Sequence, residues 1–84
     1  MLDDIKKMFY GREPSINDTN AKFSFNETLD GITINMHHGT KKASINIIDY
    51  VKSEEDPSII ISDSSGAFYT SVSESINILK NKLS

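Results

Sequence analysis

Between Ala21 and Val51, three successive runs alternate apolar and polar residues almost one for one. A period of two puts neighbouring side chains on opposite sides of an extended chain, so these runs predict half-buried β-strands. AKFSFNE sets Phe23 and Phe25 against Ser24 and Asn26; GITINMH sets Ile32, Ile34 and Met36 against Thr33, Asn35 and His37. ASINIIDYV sets Ile45 and Ile47 against Ser44 and Asn46, and its doublet Ile47-Ile48 predicts a bulge after which Tyr50 takes over the inward side. Thr28-Leu29-Asp30-Gly31 predicts a hairpin turn, and His38-Gly39-Thr40-Lys41-Lys42 a looser one. A helix over Thr40–Glu54 competes for the third run, since Ser44, Ile47, Ile48 and Val51 also share a helical face. The predominance of β-branched residues favours the strand.

The flanks read differently. Leu2, Ile5, Met8 and Phe9 stand at helical spacing, with Asp3 and Asp4 at the start, Lys6 and Lys7 towards the end and Gly11 as a stop. Arg12–Asn20 (REPSINDTN) is rich in turn formers and predicts a loop. After the break at Ser53-Glu54-Glu55-Asp56-Pro57, SIIIS predicts an interior strand. Asp63-Ser64-Ser65-Gly66 turns the chain and AFYTS returns it. In the closing helix, Ser71 and Glu74 have capping-box spacing, and Val72, Ile76, Leu79 and Leu83 form an apolar stripe. Residues 1–84 are therefore expected to form a single α+β domain of two layers. An antiparallel sheet of about five strands carries a short N-terminal helix and a C-terminal amphipathic helix packed on one face. The stripe is expected to lie across Phe23, Phe25, Ile32, Ile34, Met36, Ile45, Ile47, Ile59 and Ile61.

A chain of 84 residues buries roughly 60–65% of its unfolded surface, enough for one modest core. With no cysteine it has neither disulfides nor thiolate metal ligands, which suits a reducing compartment. MLDDIKKMFYGREP lacks the basic segment and long apolar run of an export signal or membrane span, so a cytoplasmic location and no membrane partner are expected. Asn17-Asp18-Thr19 and Asn26-Glu27-Thr28 match the glycosylation pattern, but without an export signal they read as chance. The net charge is −3: residues 1–42 hold six basic and six acidic side chains, residues 43–84 three and six. No cationic stripe follows the sequence, which argues against a duplex nucleic-acid partner. Twelve Ile, twelve Ser and seven Asn against a single Arg are what AT-rich codons produce, so a low-GC bacterium, or a phage or mobile element living in one, is an expected source.

No catalytic or cofactor motif assembles, so no enzyme activity is expected. There is no nucleophile elbow, and four glycines supply no phosphate-cradling loop. His37 and His38 are neighbours on a strand, point to opposite faces and cannot hold one metal side by side; they read as an exposed strand-end pair, and no metal is expected. Asp63-Ser64-Ser65-Gly66 lacks the alternating acids of a calcium loop and reads as a turn. Glu54-Glu55-Asp56 reads as a solvated loop, the alternative being a docking patch for a basic partner.

The face away from the predicted core collects Ser24, Asn26, Thr33, Asn35, His37, Ser44 and Asn46, with Ile48, Ile60 and Tyr69 beside it. Short hydrogen-bonding side chains and aromatics, with Lys and Glu scarce, are characteristic of protein contact surfaces. Codon bias supplies Ser and Asn to any surface, so it remains the competing explanation; yet the same genome supplies Lys freely. The seven polar residues and Tyr69 are the candidate binding site. The expected function is a small protein-binding module, a regulator or inhibitor acting through this face or an edge strand. The alternatives are a self-assembling structural subunit and, more weakly, a single-strand nucleic-acid binder stacking bases on Phe68, Tyr69 and Tyr50.

Overall fold

The structure, a computed structural model, describes residues 1–52 and 55–84. The chain runs through α1 (Leu2–Phe9), the short β1 (Ser15–Ile16) and β2 (Thr19–Asn20), then β3 (Lys22–Thr28) and β4 (Gly31–His38). β5 (Lys41–Val51), β6 (Ser58–Asp63), β7 (Gly66–Ser71) and α2 (Val72–Leu83) complete it. The five long strands pair antiparallel in the order β3-β4-β5-β6-β7, each beside its neighbour in the chain. The fold is α+β, with both helices packed against the sheet, as the alternating runs and the flanking stripes imply.

The third run is a strand throughout Lys41–Val51, not a helix. Extended, it forms ladders with β4 and β6 at once and buries Ala43, Ile45 and Ile47 on one side. A helix here would leave one edge of each neighbouring strand, β4 and β6, without a ladder partner. The bulge falls at the isoleucine doublet: Ile47 pairs with Ile61 and Asp49 with Ile60, leaving Ile48 as the extra residue. Beyond it Tyr50 turns to the helix side. The start of β4 presses on the same point. A Cβ added to Gly31, whose φ is +150°, would lie 2.2 Å from the Ile47 carbonyl oxygen, so only glycine lets the two backbones meet.

The core forms where the inward rows of β4, β5 and β6 meet α2. Ile32, Ile34, Met36, Ile45, Ile47, Ile59 and Ile61 are buried, as are Val72, Ile76, Leu79 and Leu83. Each such side chain contributes about 1.5–3 kcal/mol through its removal from water. The Ser71 hydroxyl caps α2 by accepting the Glu74 N–H at 3.0 Å. Phe23 and Phe25 depart from the expected arrangement. They are only half-buried, because β3 is an edge strand, and Phe9 of α1 covers them. The Phe9 ring meets theirs edge-on at 5.5 and 6.2 Å between centroids.

α1 is too short to be stable alone and is tied down at both ends. Near its start the Tyr50 hydroxyl donates to Asp4, and Lys52 pairs with Asp4 at 3.0 Å. The Tyr50 hydrogen bond, then the Lys52 contact, holds the Asp4 carboxyl below its ordinary range; Asp4 in turn raises both Tyr50 and Lys52. Just past its end, Arg12 donates to the Glu55 carbonyl (3.2 Å) and Ser73 hydroxyl (3.4 Å) and pairs with Asp56 at 3.7 Å. Of the acidic stretch Glu54-Glu55-Asp56, Glu54 lies outside the described residues.

Arg12–Asn20 is not a plain loop. It contains the β1-β2 hairpin, turned by Asn17 and Asp18 with φ of 51° and 67°. Two successive positive φ values are what a two-residue hairpin turn of the primed type requires, and Asn and Asp tolerate them best after glycine.

Candidate functional site

The molecule measures 31 × 30 × 19 Å. Its thin dimension holds one helical layer on one sheet, since packed layers stand about 10 Å apart. The second face of the sheet therefore carries no layer, and the register fixes which residues occupy it. Ser24, Asn35 and Ser44 form one row across β3, β4 and β5. Asn26, Thr33, Asn46 and Ser62 form the next, across four strands. Rows two residues apart are about 7 Å apart and adjacent strands about 4.8 Å, so these two rows cover a patch of roughly 14 by 7 Å.

Hydrogen bonds hold the rows in place. The Ser44 hydroxyl donates to Asn35 Oδ1 at 2.5 Å, and the Ser24 hydroxyl lies 2.9 Å from His37 Nε2. Thr33, Asn35, His37, Ser44 and Asn46 are half-buried although no helix or further strand among the described residues covers them. Ser24 and Asn26 on the edge strand are exposed. Such side chains have few rotors to freeze on contact, and each can donate as well as accept.

Seven of the eight sequence-predicted residues thus come together on β3–β5. Tyr69 does not join them. It stands on β7 in register with Ile60 and Asp49, at a separate corner, and is 68% exposed. The bulge residue Ile48 and Val51 are also exposed, so this corner is apolar where the centre is polar. A notch of about 260 Å³ opens where Asn46 and Ser62 of this face meet Phe68 and Ile78 from the helix side of the sheet.

Two lysines belong to this face that the sequence pattern was not extended far enough to include. Lys22 and Lys42 flank His37 in register, forming a cationic row at the end where β4 turns into β5. Each stands two residues before a residue already assigned to the face, Ser24 and Ser44, so one more step of the same alternation identifies them. The histidines also differ from the exposed pair expected. Both are half-buried and bonded, His37 to Ser24 and His38, through Nε2, to the Ile16 carbonyl at 2.8 Å. They point to opposite faces, and among the described residues no three potential metal ligands cluster. No helix among those residues is long and apolar enough to cross a membrane. The chain matches no known protein family, no curated protein and no solved structure, so the site rests on its own geometry.

Proposed function

We propose that this protein is a binding module that docks on another protein through the uncovered face of its sheet and acts as a regulator or inhibitor, not as a catalyst. The observation that carries the reading is the pair of polar rows, Ser24–Asn35–Ser44 and Asn26–Thr33–Asn46–Ser62, on a face without a covering layer. Preformed, short-chained hydrogen-bonding groups next to an apolar corner give a partner both direction and buried area at small entropic cost. A reducing compartment and a phage or mobile-element source fit the cysteine-free, AT-biased composition.

The test is the double substitution Asn35→Lys and Asn46→Lys. A partner captured by the wild-type chain and identified by mass spectrometry is titrated by calorimetry against both proteins. The double variant is expected to keep its circular dichroism spectrum and bind at least roughly tenfold more weakly. Equal affinities sink the proposal.

One observation favours a second reading, self-assembly by edge pairing. β7 is an outer strand without Lys, Glu, Asp or Pro, and its Phe68 and Tyr69 are 39% and 68% exposed. Natural sheets usually guard such edges with charge or proline. Light scattering over a concentration series decides: a monomer at every concentration removes this reading.

A further inference from the structure

No cationic run stands out in the sequence, but the fold gathers basic side chains from distant segments. The β4–β5 turn, the start of β3, the β1–β2 turn and the last turn of α2 meet at one end of the molecule. A groove of about 580 Å³ lies between them, with Lys41 and Lys80 on its walls and Ile16 and Leu83 at its apolar base. His38 forms part of the lining and fixes the hairpin wall through its bond to the Ile16 carbonyl. Lys82 is held nearby by its 3.1 Å bond to the Ser44 carbonyl, and Lys22 and Lys42 stand round the corner on the sheet face.

Five of the nine basic side chains thus gather at this end, against two acidic side chains, Asp18 in the hairpin turn and Asp63 beside Lys82. This end carries +3, so the remainder of a chain whose total is −3 carries −6. We propose that the groove binds an acidic segment of a partner protein, a short extended run of Asp and Glu side chains. Lys41 and Lys80 would meet the carboxylates, while Thr40 and Asn81 on the groove wall donate hydrogen bonds to them.

The charge arrangement selects a short acidic peptide over a nucleic acid. A polyphosphate strand that continues along a body 31 Å long leaves the cationic end and passes directly over the −6 region. The only aromatic ring in the groove lining is the imidazole of His38, half-buried and tied to the Ile16 carbonyl, whereas Tyr10, Tyr50, Phe68 and Tyr69, the broader platforms for stacked bases, all lie outside it. An acidic run of a few residues matches both the local charge and a volume in the range of compact ligand sites.

The experiment uses fluorescein-labelled tetraglutamate, capped at its unlabelled end, as the probe and reads anisotropy and amide NMR shifts. Binding is expected at about 50 mM salt and to weaken at about 200 mM. Shifts should concentrate at His38, Thr40, Lys41 and Asn81. The double variant Lys41→Gln/Lys80→Gln should lose roughly tenfold in affinity, and Lys6→Gln/Lys7→Gln on α1 less than about twofold. Equal losses in the two variants, shifts outside the groove, no binding at low salt, or a tetrathymidylate binding tighter than the peptide each overturn the proposal. Lys41 and Lys80 lie off the Asn35–Asn46 face, so this proposal and the sheet-face reading can fail separately.

Discussion

Ile34 and Asn35 are adjacent on one strand and experience opposite surroundings. Ile34 is fully buried between Phe25 and Ile45 in register, beneath the helices. Asn35 sits between Ser24 and Ser44 on a face that nothing covers. The same backbone ladder serves both, so the difference is carried by side chains alone. One face holds the fold together by removing apolar area from water; the other keeps its shape through cross-strand hydrogen bonds whose net contribution is small. A protein built this way can change its outer face with little effect on its stability.

The largest expected break in that contrast is Ile34→Ala. It should cost about 2–5 kcal/mol in denaturant unfolding, through lost burial and the cavity left behind. A loss under about 1 kcal/mol would mean that the covered face is not a close-packed core. Gly31→Ala tests the seam where β4 meets the bulge of β5 and should cost about 3 kcal/mol, combining the clash with the Ile47 carbonyl and an unfavourable φ. A neutral result there means the backbones do not meet so closely. Ser71→Ala removes the cap of the helix that covers the core and should cost about 1 kcal/mol.

On the other face, Asn35→Ala should change stability by no more than about 0.5–1 kcal/mol, since its bond to Ser44 is partly exposed to water. A loss as large as that of Ile34→Ala would abolish the distinction between the faces. The smallest effect expected is that of Asp4→Asn. Because the Asp4 carboxyl is held low when folded, it contributes stability above the ordinary carboxylate range that disappears as pH falls through the lowered value. Tyr50 and Lys52 are raised, so their contribution is present at neutral pH and disappears as pH rises through their folded values. The variant's melting temperature should therefore fall less steeply than wild type towards both extremes of pH. Identical profiles would leave the clasp without weight.

The strands were legible because their period of two is a local property, and the bulge was legible because a doublet breaks it. The β1–β2 hairpin was missed although Ile16-Asn17-Asp18-Thr19 carries its signal, an Asn-Asp pair between two β-formers; Pro14 and the shortness of the strands masked it. Nothing local assigns the cover of Phe23 and Phe25 to α1, because that choice depends on where two helices share one sheet. The membership of the outer face followed from alternation, except at Lys22 and Lys42, where the pattern was stopped one step early. The charge separation was hidden for a topological reason. Lys22, Lys41 with Lys42, and Lys80 with Lys82 come from three distant segments, and counting by halves of the chain spreads them apart.

The unbroken strand order carries a kinetic corollary. Each long strand finds its partner by closing a short connection, and a short closure costs little chain entropy. A meander of this kind should assemble quickly for a mostly β-structured molecule, hairpin upon hairpin. The slowest commitments are then the distant ones, the reaches from Asp4 to Tyr50 and from Arg12 to Ser73, so α1 is expected to settle late and to be the first element released when the chain begins to unfold.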